Sequence, residues 1–197
     1  MILLIDNYDS FTYNLAQLIG TRHEVVIVRN DADNIFELAE QAAAIVISPG
    51  PGTPKETGYV KEVIQQFYQQ KPLLGICLGH QTIGEVFGAK VNAAKEIRHG
   101  KQSDITTVKA SRLFKGIPDE SSVMRYHSLI IDKKTLPEEF TVTATANDDQ
   151  EIMAIEHQEY PIFGLQFHPE SVGTPIGPMI IQNFIQVMEG QKHGKFI

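Results

Sequence analysis

Cysteine is nearly absent from this chain of 197 residues. Cys77 stands alone, which excludes an internal disulfide and a cysteine-built metal cluster within one chain. An excess of basic charge is also missing. Seventeen Lys and Arg face 24 Asp and Glu, a net charge of −7, and the cations are scattered, so neither nucleic acid nor an anionic membrane surface is an expected partner. Long hydrophobic runs are lacking too. The apolar start Met1–Ile5 is stopped by Asp6 without a basic leader, too short for a signal peptide or a membrane span. A cytoplasmic location is therefore expected. The seven histidines include no His-x-x-x-His or comparable spacing, and no catalytic metal is expected. Repeats, linkers and low-complexity tracts are missing as well. What remains is 42% hydrophobic and 21% charged, a soluble globular composition, long enough for one α/β domain. We read that domain as residues 1–190, followed by a polar tail, 191–197.

Short apolar runs at Ile2–Ile5, Val25–Val28, Ala44–Ile47 and Leu73–Ile76 predict strands buried on both faces, as in parallel sheets. Between them, Phe11, Leu15, Leu18 and Ile19 form one helical stripe, and Val60, Val63, Ile64, Phe67 and Tyr68 another. Such alternation implies right-handed crossovers and a doubly wound, mostly parallel open sheet flanked by helices, with ligands at the carboxyl ends of its strands. After about residue 89 the second half becomes strand-rich, with strands expected at Asp104–Val108, Ser122–Arg125, Phe140–Ala146, Glu151–Ile155 and Ile162–Phe167. A closing helix carries Ile180, Ile181, Phe184, Ile185 and Met188.

The lone cysteine sits in Gly75-Ile-Cys77-Leu-Gly79-His80-Gln81, between an apolar strand and a helical stretch. A lone cytosolic cysteine is ordinarily a small buried hydrophobe. Glycine weakens a strand unless geometry requires it, however, and the two flanking glycines give the pattern of a nucleophile elbow with cysteine in the serine position. The N-terminus of the following helix, with its free N–H groups, favours thiolate over thiol.

A cysteine nucleophile needs a base, and the base needs an orienting group. His168 ends the apolar run Ile162–Phe167, and Glu170 follows two residues on. In extended chain, residues two apart share a side, so Glu170 is expected beside the imidazole, stiffened by Pro169. Taken alone, the tripeptide reads as a strand end with a surface charge; with Cys77 it completes a nucleophile, base and orienter. Ser48-Pro49-Gly50-Pro51-Gly52 follows the strand Ala44–Ile47 at the same sheet edge. It reads either as a plain surface turn or, with the N–H groups of Gly52 and Leu78, as an oxyanion hole.

These motifs resemble the class I, triad-type glutamine amidotransferases, in the nucleophile motif Gly75–Gln81 and in Gly164-Leu-Gln-Phe-His168-Pro-Glu170-Ser171. The resemblance runs from Asp6-Asn7-Tyr8-Asp9-Ser10-Phe11-Thr12 to the last helix. Within the family, Asp6–Thr12, His99-Gly100-Lys101 and Arg125-Tyr126-His127-Ser128-Leu129 are most similar to the small subunits of anthranilate synthase and aminodeoxychorismate synthase. The resemblance implies Cys77, His168 and Glu170 as catalytic residues, and Gly50, Pro51, Gly52, Leu78, Gln81, Ser128 and Leu129 as the glutamine site. It further implies that this chain holds no cofactor, and that a chorismate-using synthase partner carries Mg²⁺ and receives the ammonia, for tryptophan biosynthesis or, alternatively, folate biosynthesis. Activity would be slow without that partner. A γ-glutamyl hydrolase or cysteine peptidase, and a catalytically silent binding module of the same fold, are the competing readings.

Overall fold

The computed structural model describes residues 1–21 and 23–192. Four apolar runs form strands: β1 (Ile2–Asp6), β3 (Ala44–Ile47) and β4 (Leu73–Ile76) are buried throughout, whereas β2 (Val25–Arg29), expected to be buried on both faces, is an edge strand in which only Val28 is buried. Helices α1 (Thr12–Ile19), α2 (Ile35–Gln41), α3 (Val60–Phe67) and α4 (Leu78–Val86) alternate with them. The second half supplies β5 (Val91–Thr107), β6 (Glu120–Ile131), β7 (Phe140–Ala146), β8 (Ile152–His157), β9 (Ile162–Leu165) and the closing helix α5 (Gly177–Lys192). Because α5 reaches Lys192, the expected polar tail begins inside a helix, and residues 193–197 lie outside the described residues.

All nine strands form one sheet in the order β2-β1-β3-β4-β9-β8-β7-β5-β6. The five strands from β2 to β9 run parallel, and the pairings from β9 onwards are antiparallel. Alternation along β1 shows how the sequence builds two cores. Ile2 and Leu4 pack with Leu15 and Ile19 of α1 and Phe184 of α5. Leu3 and Ile5 pack on the other face with Ile35 of α2 and Val63, Ile64 and Phe67 of α3. Each fully buried side chain of this size contributes about 1.5–3 kcal/mol, which makes the sheet a rigid platform. No helix among the described residues is long and apolar enough to cross a membrane.

From β1 the chain winds first to β2 and then, on the other side, to β3. The carboxyl ends of β1 and β3 therefore flank the topological switch point, where open α/β sheets bind ligands. Side chains stitch that edge together. Asn7, just after β1, donates its backbone N–H to Ser48 Oγ (2.9 Å) and its Nδ2 to the Ser48 carbonyl (2.9 Å), while Asn30 Nδ2 donates to Asn7 Oδ1 (2.9 Å).

Three other expectations need correction. Phe11 is not on the buried stripe of α1; it precedes the helix, is 39% exposed, and lies against the rings of Tyr126 and His168, with centroids 5.9 and 6.4 Å apart. The strand expected at Asp104–Val108 is only the end of the 17-residue β5, which pairs with a β6 running from Glu120 to Ile131. His99-Gly100-Lys101 is a bulge in that ladder, with Gly100 at φ +66°. Finally, β9 ends at Leu165, so His168 and Glu170 stand beyond the strand, His168 after a bend at Gln166 and Phe167 and Glu170 in a turn.

Candidate functional site

Cys77 lies between β4 and α4 with φ +50° and ψ −100°, a left-handed backbone that costs a non-glycine residue about 1–3 kcal/mol. The turn is enforced by close packing on both sides. A Cβ on Gly75 would fall 2.5 Å from the carbonyl carbon of Gly79, and one on Gly79 would fall 2.5 Å from the carbonyl oxygen of Ile47. Only glycine allows strand and helix this near, and the resulting elbow lifts the sulfur to the carboxyl edge of the sheet. The Cys77 N–H is held by the Leu165 carbonyl at 2.7 Å, which ties the elbow to β9. Leu78 opens α4, where a helix leaves its first N–H groups without intrahelical acceptors.

His168 and Glu170 approach the sulfur from the segment after β9. His168 Nδ1 donates to Glu170 Oε1 at 2.6 Å, with both side chains buried. They meet across the turn at Pro169 rather than along an extended strand, so the pairing expected from spacing is present for a different geometric reason. The backbone of the turn is secured by Thr174, whose Oγ1 donates to the His168 carbonyl at 2.8 Å. Burial disfavours the imidazolium, but the Cys77 sulfur and the Glu170 carboxylate outweigh it and raise the His168 pKa to about 10. His168 Nε2 is buried and makes no protein hydrogen bond of good geometry. It is therefore the nitrogen free to exchange a proton at the site.

Beside Cys77 is a cavity of about 130 Å³, lined by Gly50, Pro51, Gly52, Leu78, Gln81, His127, Ser128 and Leu129. All seven residues expected to surround glutamine are brought together here. The volume is small against the ~300–1,000 Å³ of sites for drug-sized ligands, a size that suits a single amino-acid side chain. Gly52 adopts φ +81°, a conformation glycine takes without steric cost. The loop is braced just beyond it by Thr53, whose N–H and Oγ1 both reach Glu56 Oε2 (2.9 and 3.0 Å). A larger cavity, about 730 Å³ beside Lys109, Arg112, Lys115 and Glu156, holds neither cysteine nor histidine.

Sequence reasoning missed His127, Arg125 and Gln166. His127 lines the cavity with Nδ1 3.1 Å from the Leu129 carbonyl, and its Nε2 accepts from Arg125 Nε at 3.0 Å. Burial, then the neighbouring Arg125 charge, lowers its pKa to about 4. Arg125 is fully buried and paired with Asp148, Asp149 and Glu151. Gln166, also fully buried, donates Nε2 to the Cys77 sulfur at 3.6 Å. The available signal for Gln166 was a polar residue within the apolar run Ile162–Phe167, which burial obliges to find a partner. Among the described residues no group of three His, Cys, Asp or Glu side chains could hold a metal ion.

The family model for Glutamine amidotransferase class-I matches residues 3–188. This chain belongs to that family. The amidotransferase is 49% identical over 192 residues to anthranilate synthase component 2 of Lactococcus lactis subsp. lactis (strain IL1403), covering 98% of this chain and 97% of that one. It is 48% identical over 188 residues to aminodeoxychorismate/anthranilate synthase component 2 of Bacillus subtilis (strain 168), covering 94% and 96%. Among solved structures, a putative GMP synthase subunit from Thermoplasma acidophilum superimposes with a TM-score of 0.88 at 29% identity, covering 98% and 95% of the two chains. The overall fold of this amidotransferase is thus similar to that of a protein of quite different sequence.

Proposed function

We propose that this chain is the glutaminase subunit of anthranilate synthase, hydrolysing L-glutamine and supplying ammonia to a chorismate-using synthase. The observation that carries the reading is Cys77 on a strained elbow, with the His168–Glu170 pair on one side and the small Gly50–Leu129 cavity on the other. Cys77 thiolate attacks the side-chain amide carbon of glutamine, and the N–H groups of Gly52 and Leu78 hold the oxyanion. His168, positioned by Glu170, transfers a proton to the departing ammonia and leaves a γ-glutamyl thioester on Cys77. His168 then takes a proton from water, whose oxygen attacks the thioester and releases glutamate and the thiol. These steps require no cofactor in this chain; Mg²⁺ belongs to the synthase.

A partner is supported by aromatic and aliphatic side chains left in solvent beside the site. Tyr8, Phe11 and Tyr13 follow β1, and Val172 follows Glu170. Clusters of exposed apolar groups beside a reaction centre mark docking surfaces. This reading carries with it a cytoplasmic location alongside the synthase. The double name of the Bacillus subtilis relative favours a second reading, in which the same protein serves aminodeoxychorismate synthase for folate biosynthesis, alone or as well. Glutamate release should be measured for wild type and Cys77→Ser, with and without the chorismate-using synthase. The proposal predicts partner-stimulated release that is lost in the variant, and the aminated product names the pathway. Equal rates with and without synthase and chorismate would contradict the coupling, and no release under either condition would contradict the glutaminase.

A further inference from the structure

We propose that Gln166 is a further catalytic group of this site: its carboxamide N–H stabilises negative charge on the Cys77 sulfur, and Gln81 locks the amide in that orientation. The inference rests on the amidotransferase reading for its chemistry but not for its geometry.

The geometry begins at one backbone carbonyl. The oxygen of Leu129 can only accept hydrogen bonds. Gln81 Nε2 lies 2.9 Å from it and His127 Nδ1 lies 3.1 Å from it, so both of these nitrogens must carry protons. Gln81 is thereby fixed with its amino group inward, and the second N–H reaches Gln166 Oε1 at 3.1 Å. If the Gln166 amide were reversed, two NH₂ groups would confront each other in a buried space. Gln166 must therefore present oxygen to Gln81 and nitrogen to Cys77, where Nε2 is 3.6 Å from Sγ. The same carbonyl fixes His127 with its proton on Nδ1, leaving Nε2 to accept from Arg125. Arg125 is anchored in turn by Asp148, Asp149 and Glu151. A chain of hydrogen bonds thus runs from the ion cluster around the buried Arg125 to the sulfur, each member constraining the next.

The sulfur has one other polar contact of this kind, the Tyr126 carbonyl at 3.8 Å. A carbonyl can accept a thiol proton, but it repels a thiolate. The amide of Gln166 does the reverse, acting as a donor whose hydrogen bond strengthens as charge builds on its acceptor. It also approaches from a neutral group, so it favours the anion without competing with His168 for the proton that must pass to ammonia.

The test uses the full chain and iodoacetamide, a neutral reagent that needs no glutamine site, with alkylation of Cys77 followed across pH. In Gln166→Met, which keeps length and removes the donor, the pH midpoint of alkylation moves up by about one unit, equivalent to tenfold less thiolate at lower pH. With the synthase present, kcat falls about tenfold while KM for glutamine changes less than twofold. Gln166→Glu, which places an acceptor at the sulfur, moves the midpoint further in the same direction and carries the test should the Met variant not fold. Gln81→Met, which frees the amide to rotate, gives a smaller shift of the same sign. A folded variant with an unmoved alkylation profile overturns the proposal even if wild type hydrolyses glutamine. A profile that moves in the variants, beside a wild type that releases no glutamate, upholds the stabilisation of the sulfur by the Gln166 amide and overturns the glutaminase reading, and with it the catalytic use of that contact.

Discussion

Replacing Gly75 with alanine tests whether close packing at the elbow positions the site. The new Cβ would sit 2.5 Å from both the carbonyl carbon and oxygen of Gly79 and 2.7 Å from the backbone nitrogen of His80. All three are backbone atoms, so no side chain can swing away. Ordinary contact begins at 3.4 Å, which requires the first turn of α4 to retreat from β4 by about 0.9 Å, a shift of the size that costs about 10²-fold in rate. Because Leu78 and Gln81 travel with that turn, the oxyanion donor and the lock on Gln166 are displaced together. Overpacking of a dense core also destabilises by about 1–3 kcal/mol. Gly190→Ala is the control: nothing lies within 4 Å of its added Cβ, and alanine in a helix stabilises by up to about 1 kcal/mol. Urea unfolding and partner-coupled glutamate release are measured for both. Gly75→Ala should be less stable and about a hundredfold slower, with Gly190→Ala active and at least as stable as wild type. A Gly75→Ala variant with wild-type rate and stability would refute the reasoning.

Two further changes address the buried titratable groups. Glu170→Gln exchanges a charge-assisted hydrogen bond to His168 for a neutral one, a loss of about 1–2 kcal/mol; kcat should fall about 5–30-fold with KM nearly constant, and steady-state kinetics with the synthase would show it. His80 is fully buried with neither ring nitrogen partnered, and burial, reinforced by His127, lowers its pKa to about 3. Between the ordinary 6.5 and that value, the unfolded chain binds a proton the folded chain refuses, so stability falls as pH drops through this window. In His80→Met the pH dependence of urea stability should be shallower there by up to one proton, about 1.4 kcal/mol per pH unit; an unchanged slope would contradict it.

The parallel strands were legible because each carries a short apolar run, and α3 because Val60, Val63, Ile64 and Phe67 form a clean stripe; α2 (Ile35–Gln41) was not anticipated, with only Ile35 and Ala39 buried on so short a helix. The elbow was legible because two glycines around a cysteine have no reason in a plain strand. The long strand β5 was not, because residues such as Lys95, Glu96, His99 and Lys101 are exposed and show no alternation; pairing with β6 carries His99 and Lys101, while Lys95 and Glu96 fall in the irregular stretch between Ala93 and Arg98. Phe11 misled because a helical period does not reveal where a helix starts, and the aromatic ring found its neighbours in Tyr126 and His168 instead. The network around Gln166 depends on contacts between residues 81, 129 and 166, which approach one another only once β4, β6 and β9 and the elbow are assembled.

In the proposed mechanism Cys77 is the nucleophile toward the glutamine side chain. That role is tested most directly by incubating the folded protein with a chloroketone analogue of glutamine and mapping the adduct by peptide mass spectrometry. A single adduct on Cys77, suppressed by excess glutamine, is expected. No adduct on folded protein, or labelling of Cys77 that glutamine does not suppress, would contradict it.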